Sequence, residues 1–209
     1  MRVVRPIVRQ FQARFVREID AHVRAGGHAV VWESEKRAHL VLPPPKDDDE
    51  KDLALWSLLD LGKSTWTVIP SGKLRGLARS PVPRDCFDIV RARAERDSAF
   101  PGTKRTVDLD CLECGACCKD NEVILYREDV ARFRKAGRED LLKAPYARKK
   151  DGKLMLRLLR SKDCKQLGAD NKCAIYSIRP DACSTFPVGS EPCMYSREEE
   201  LGLVDGVRD

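Results

Sequence analysis

Cysteines are the residues of this chain whose type and spacing point most directly to chemistry, because eight of the nine lie between positions 111 and 193. The Arg-rich N-terminus lacks the uninterrupted apolar stretch of a secretory signal, so we expect a cytoplasmic protein. Clustered thiols in a reducing cytosol are typical of metal or redox sites rather than of a disulfide framework. The sequence therefore predicts a set of metal ligands: Cys111, Cys114, Cys117, Cys118, Cys164, Cys173, Cys183 and Cys193.

The first four of these cysteines form the string Cys111-x-x-Cys114-Gly115-x-Cys117-Cys118, which holds two C-x-x-C steps in tandem. Two intervening residues allow a tight turn to bring both sulfurs to one ion, and the glycine relieves the backbone at that turn. The later cysteines follow at wider intervals and would close a site from distant parts of the chain. A thiolate site carries negative charge, which flanking cations can offset: Lys119, Lys162, Lys165, Lys172 and Arg179.

The spacing leaves the identity of the metal open. Zinc is favoured by an all-thiolate donor set with turn-type spacing. An iron–sulfur cluster is favoured by C-x-x-C-x-x-C, the opening of a bacterial ferredoxin run, although here the next cysteine is immediate and no proline follows it. The alternative without metal is a set of buried thiols that pack in a core, an interpretation that suits the isolated Cys86 best.

A longer pattern continues the cysteine string through Cys164 to Cys173-x-Ile175-Tyr176-x-x-Arg179-Pro180-x-x-Cys183-x-x-Phe186-Pro187. Together these elements, over about residues 108–193, resemble the YkgJ-type cysteine cluster proteins, also described as C-x-x-C-x-x-C-C zinc- or iron-chelating domains. The resemblance implies metal chelation by the cysteines from Cys111 to Cys183, whereas Cys193 lies beyond its strongest motif. A similar module occurs in flagellin lysine methylase, where an iron–sulfur cluster is implicated.

The predicted function is metal binding through the cysteine cluster, with zinc or iron serving mainly to organise the fold. A structural zinc contributes on the order of 10 kcal/mol to folding. The alternative is an iron–sulfur enzyme or redox protein that acts on a macromolecule, as the likeness to the methylase module implies. A third interpretation is a thiol sensor that releases metal on oxidation. No nucleotide-binding, serine-hydrolase or zincin motif occurs, so the sequence leaves catalysis open.

The formal charge of +6 is spread over the chain, with 20 Lys and Arg against 16 Asp and Glu in residues 1–110 and 19 against 17 in residues 111–209. Because neither half is strongly basic, we do not expect nucleic acid as a partner. We also expect no membrane span, and an unknown protein partner is left open for the N-terminal part. One basic segment runs from Lys143 to Lys162 and is interpreted as a solvated hairpin.

The predicted fold class is α+β. We expect a small N-terminal α+β unit of unknown role over residues 1–105, followed over residues 106–209 by an irregular, metal-organised domain with short helices and a β-hairpin. Apolar residues spaced by four predict a helix over residues 6–25. The other predicted elements are strands His28–Trp32, Ala38–Leu42, Thr65–Ile69 and Leu154–Leu159, a linker from Pro43 to Glu50, a hairpin turn at Lys150–Lys153, and helices Asp52–Leu61, Asp85–Asp97 and Glu128–Ala136.

Overall fold

The computed structural model describes residues 2–46 and 66–203, which divide into two compact units. The N-terminal unit comprises Arg2–Asp108 and Gly189–Tyr195, and the C-terminal unit comprises Leu109–Val188 and the described residues from Ser196 onward. Both helices and sheets are present, which confirms the α+β class. The domain bounds expected from the sequence stay a prediction. None of the described helices is both long and apolar enough to cross a membrane.

The N-terminal unit contains a two-stranded and a five-stranded sheet. Its elements are β1 Arg2–Pro6, β2 Val8–Gln12, α1 Val16–Arg24, β3 His28–Ser34, β4 Arg37–Leu42, β5 Thr67–Val68, β6 Ala78–Pro81, α2 Phe87–Asp97 and β7 Lys104–Asp108. Strands β1 and β7 pair with each other, and the larger sheet has the order β2-β3-β4-β6-β5, with β2 and β3 parallel. Alternate residues of β3 face two cores: Ala29 and Val31 pack with α1, and Val30 and Trp32 pack with α2.

The helix predicted over residues 6–25 is wrong in its first half, because Val8–Gln12 form a strand and α1 begins only at Val16. A spacing of four is also a multiple of the twofold strand repeat, so the same apolar residues fit one face of a strand. Parallel pairing with β3, which follows α1 in the chain, stabilises the extended form. The predicted helix Asp52–Leu61 and the acidic end of the linker lie outside the described residues.

The other predicted elements of the N-terminal unit are largely confirmed. Strands β3 and β4 match their predictions within two residues, and β5 is shorter than the predicted strand. Residues Arg84–Cys86 form a 3-10 turn that leads into α2. The isolated Cys86 packs against the core of this unit, as the interpretation without metal expects.

The C-terminal unit is built from short elements. These are α3 Cys111–Cys114, α4 Arg127–Lys135, β8 Ala147–Lys150, β9 Lys153–Leu156 and α5 Asp181–Ser184, with 3-10 turns at Ala116–Cys118, Glu139–Leu142 and Tyr176–Ile178; α6, Glu191–Leu201, ends in this unit. The predicted hairpin turn is confirmed: Asp151 and Gly152 both have positive φ, as a two-residue β-turn requires. The strand after it ends earlier than predicted, at Leu156.

The C-terminal unit also has an apolar core, which a purely metal-organised domain would lack. Its buried members are Val123, Leu125, Phe133, Leu141, Leu156, Cys164 and Ile175. Phe133 and Leu141 are fully buried and join α4 to the 3-10 turn that follows it. Any bound metal would therefore add to hydrophobic stabilisation of this unit rather than replace it.

Candidate metal centre

The first four cysteines lie on two short helical turns joined by Gly115. Helix α3 begins after Asp110, whose Oδ1 accepts the N–H of Leu112 at 2.9 Å as an N-cap. Gly115 ends the helix with φ +65°, and a Cβ here would lie 3.0 Å from the carbonyl oxygen of Asn171. Only glycine suits both the left-handed backbone and this close approach. The turn between the cysteines is therefore packed against the loop around Asn171.

Backbone hydrogen bonds tie the later cysteines to the first group. The N–H of Cys164 donates to the carbonyl of Cys118 at 2.8 Å, and a bridge joins Lys119 to Asp163 beside it. Another bridge pairs Leu167 with Cys173, so the chain turns back after Cys164. Cys118, Cys164 and Cys173 consequently reach the same apolar core.

Cys183 reaches that core from helix α5. Its N–H donates to the carbonyl of Pro180 at 2.9 Å, which starts the helix directly after the Arg179-Pro180 step. The thiol is half-buried and packs against the core. We call the four cysteines that share this core the inner cysteines: Cys118, Cys164, Cys173 and Cys183. They come from separate segments and, like Cys111, Cys114 and Cys117, they form no disulfide.

Burial and neighbouring thiols raise the pKa of three inner cysteines, Cys118, Cys164 and Cys183. Burial raises the pKa of Cys183 to about 12, and the thiols of Cys164, Cys117 and Cys173 add to the increase. The pKa of Cys118 lies far above its ordinary range, first because its S–H donates to Cys117 and then because of burial and the thiols around it. The same hydrogen bond lowers the pKa of Cys117 to about 7. These mutual effects show that the five thiols lie within electrostatic reach of one another.

Cys111 and Cys114 each interact with an arginine. Burial raises the pKa of Cys111, the thiols of Cys117 and Cys114 raise it further, and the Arg179 guanidinium opposes this increase. The Nη1 of Arg197 donates to the sulfur of Cys114 at 2.9 Å, and the two residues are only 6% and 9% exposed. A buried guanidinium at this distance suits a sulfur that carries negative charge.

Arg179 supplies a second cation to the cysteines. Its guanidinium lies 3.7 Å from the ring centroid of Tyr176, and its charge acts to lower the pKa of Cys111, Cys117 and Cys183. Its Nε is buried and has no hydrogen-bond partner among the residues that the structure describes. Leaving a buried donor unpaired is costly, and an anionic thiolate centre beside it would supply the missing acceptor. The residues present therefore fit a thiolate-bound metal.

The inner cysteines share one apolar core, but their thiols do not form a complete metal-binding geometry. Within residues 2–46 and 66–203, no group of three or more His, Cys, Asp or Glu side chains is already arranged to hold a metal ion. The eight predicted ligands accordingly stay a prediction. Seven of them belong to the C-terminal unit, whereas Cys193 belongs to the N-terminal unit, where its N–H lies 3.4 Å from the hydroxyl of Ser190.

Two of the predicted flanking cations pair with carboxylates. Lys119 lies 4.0 Å from Asp163, and Lys162 lies 2.7 Å from Asp120. Arg179, also one of the predicted cations, instead acts on Cys111, Cys117 and Cys183. Arg197 was missed, because it is 83 residues from Cys114 in the chain and no local pattern connects the two.

The basic segment predicted to form a solvated hairpin contains β8 and β9. Two of its cations, Arg148 and Lys150, bind Glu122, which lies upstream of the segment. Both cations are about half exposed. This arrangement is compatible with a solvated edge, and the absence of a nucleic-acid partner stays a prediction.

Comparison with known proteins gives one match. Residues 110–201 match the family model CxxCxxCC, described as a putative zinc- or iron-chelating domain. No curated protein and no solved structure matches the chain. The matched residues contain all eight predicted cysteines and both arginines that act on the thiols, and residues 1–109 lie outside the match.

Proposed function

We propose that the chain binds zinc or iron through its cysteines and that the metal mainly stabilises the C-terminal unit. The match of residues 110–201 to the CxxCxxCC zinc- or iron-chelating family supports this proposal. The observation that carries the proposal is the convergence of four cysteines from separate segments on one apolar core. A bound ion would join segments that otherwise share few secondary-structure contacts, which is how a structural metal contributes to folding.

The inner cysteines are the proposed ligands of one ion. Cys118 and Cys164 are joined through their backbones, and the thiols of Cys164 and Cys173 both raise the pKa of Cys183. Four thiolates are the donor set of a closed, tetrahedral structural site. Because no three donors are assembled in advance among the residues that the structure describes, the side chains must turn further towards a common point when they bind. Their protons must also leave, so metal affinity should rise with pH.

Cys117 has a separate proposed role. It is the acceptor of the Cys118 S–H and the thiol of that pair that ionises first. Cys117 is the stronger acid of the pair, so it orients the Cys118 S–H by accepting it, and the Cys118 proton would leave to solvent when that sulfur binds the ion. When bound, the metal supplies positive charge that favours the thiolate form of its ligands.

Metal analysis of anaerobically purified chain tests the proposal, together with a cobalt titration that reports thiolate ligation through its charge-transfer absorption. We expect one ion per chain and loss of the cobalt–thiolate band in Cys173→Ser. Cys86→Ser is the matched control, since Cys86 packs in the core of the N-terminal unit. Equal metal content in Cys173→Ser and in the wild-type chain would contradict the ligand assignment.

An iron–sulfur centre is the second candidate. The specific observation in its favour is the N–H donor that Arg197 presents to the sulfur of Cys114 at 2.9 Å. Hydrogen bonds to ligand sulfurs are one means by which proteins set the potential of such clusters. A brown protein with iron and acid-labile sulfide would support this candidate, whereas a colourless protein with stoichiometric zinc would exclude it.

A further inference from the structure

We propose that Asp129, on helix α4, is a positioning residue for the metal centre. It holds the segment that carries Arg179 and Cys183 in place. The inference rests on the proposed function, because it names the group that sets the geometry of one proposed ligand. Asp129 is 0% exposed. Its carboxylate accepts a hydrogen bond from the backbone of Asp181, which lies 52 residues further along the chain. An ionised carboxylate is costly to bury unless charges and donors compensate it, and here every described partner is a donor.

Each oxygen of the Asp129 carboxylate accepts a backbone N–H at the start of a different helix. Its Oδ2 accepts the backbone N–H of Tyr126 at 3.0 Å, which caps the start of α4. Its Oδ1 accepts the backbone N–H of Asp181 at 2.8 Å, at the first residue of α5. One buried side chain therefore joins the beginnings of two helices, and the second of these helices carries Cys183.

Arg132, one turn further along α4, also holds residues 179–181, which we call the clamped segment. Its Nη1 donates to Asp129 Oδ1 at 3.1 Å and to the backbone carbonyl of Arg179 at 2.8 Å. Its Nη2 donates to the carboxylate of Asp181. The planar guanidinium thus holds the chain on both sides of Pro180, which has no N–H of its own to donate.

The clamped segment positions two groups that the metal centre needs. The side chain of Arg179 reaches Tyr176 and acts on the thiols, while its backbone is held by Arg132. The N–H of Cys183 donates to the carbonyl of Pro180, between the two clamped residues. A shift of residues 179–181 would therefore move both the Arg179 cation and the Cys183 thiol relative to the other inner cysteines.

The test is a double-mutant cycle on metal affinity, measured with Co²⁺ and Zn²⁺ on the full chain. Asp129→Asn keeps the side-chain size but removes one acceptor oxygen and the charge that faces Arg132. We expect it to weaken metal binding by roughly 10- to 100-fold, the usual effect of losing a group that orients a ligand. The matched control is Asp140→Asn, which breaks an exposed ion pair with Arg138 in the same unit and should change affinity less than about twofold.

The cycle separates positioning from general stability. In a Cys183→Ser background, Asp129→Asn should have a clearly smaller effect, because one of the two groups that it positions is gone and only the part through Arg179 remains. In a Cys118→Ser background its full effect should remain. Equal effects in both backgrounds would overturn the inference. Arg132→Lys is a second, milder variant at a third-exposed position, and it should show the same dependence on Cys183 if Asp129→Asn fails to fold.

Alkylation of the metal-free chain distinguishes failure of the inference from failure of the proposed function. Asp129→Asn should raise the modification rate of Cys183 at least threefold and leave that of Cys118 unchanged. If the wild-type chain binds no metal but this selective change occurs, the proposed function fails and the positioning role stands. If the wild-type chain binds metal while affinity and alkylation are unaltered in Asp129→Asn, the positioning role fails and the proposed function stands.

Discussion

Replacing Gly115 by alanine should destabilise the C-terminal unit more than the same change at Gly137. Both glycines have a left-handed backbone, with φ +65° at Gly115 and +68° at Gly137. A Cβ at Gly137 would meet no atom within 4 Å, so that substitution introduces backbone strain alone. A Cβ at Gly115 would lie 3.0 Å from the Asn171 carbonyl oxygen and 3.1 Å from Cδ1 of Leu167.

The two substitutions therefore differ by a packing term. An alanine in the left-handed region costs about 1–2 kcal/mol at either position. Overpacking against the carbonyl oxygen and the Leu167 methyl adds about 1–3 kcal/mol at Gly115, because the backbone oxygen cannot move aside as a flexible side chain would. We expect a total of about 2–5 kcal/mol for Gly115→Ala and about 1–2 kcal/mol for Gly137→Ala.

The assay must report the C-terminal unit by itself. Trp32 and Trp66 belong to the N-terminal unit, whereas Trp56 lies outside the described residues, so fluorescence measured in a Trp56→Phe background follows that unit. Pulsed alkylation of Cys164 and Cys183 across a urea series gives the free energy of unfolding of the other unit. Equal losses in the two variants would refute the close approach of the cysteine turn to the Asn171 loop, and a loss of tryptophan-reported stability would indicate a global effect.

Three further outcomes follow from single groups. Desolvation lowers the pKa of His28 in the folded chain to about 4, so the unfolded chain takes up the proton first: stability of the N-terminal unit is fully present above about pH 6.5 and is lost as the pH falls towards 4, by up to about 3 kcal/mol. Tryptophan-monitored denaturation should show this dependence of stability on pH in the wild-type chain and a weaker dependence in His28→Gln. An identical pH dependence in the two chains would mean that another group causes it. Arg179→Met should move the alkylation midpoint of Cys117 upward from about pH 7, because the guanidinium lowers the pKa of that thiol, and an unmoved midpoint would show that the charge does not reach it. Phe133→Ala removes a side chain that is 0% exposed and should cost about 3–5 kcal/mol in the presence of chelator; a cost below about 1 kcal/mol would mean that the metal-free unit has no ordered core.

Local patterns were sufficient for elements whose partners are near in the chain. The hairpin turn at Asp151-Gly152 follows from residues that tolerate positive φ, and α4 follows from its own periodicity. The segment Val8–Gln12 was misassigned because its apolar spacing fits a helix and a strand equally well. This segment forms a strand because it pairs with β3, which follows α1 in the chain. Local periodicity contains no information about such a distant partner.

The same distinction applies to the candidate site. Cysteine spacing predicted the segment that matches the CxxCxxCC family model, since two tandem C-x-x-C steps are typical of metal ligands. The groups that orient the cysteines were not predictable, because Asp129 and Arg197 act on residues 52 and 83 positions away. An aspartate or arginine in a helix is ordinarily solvated, and only the packed structure shows that these two are buried.

The central claim is that a cysteine-bound ion stabilises the C-terminal unit, and hydrogen exchange of that unit with and without metal tests it most directly. We expect zinc or ferrous iron in excess to slow exchange around Cys118, Cys164, Cys173 and Cys183, with a gain of about 4 kcal/mol in stability when the free ion exceeds Kd about a thousandfold. The gain should vanish in Cys173→Ser and persist in Cys86→Ser. Exchange rates that are identical with and without metal in the wild-type chain would contradict the claim.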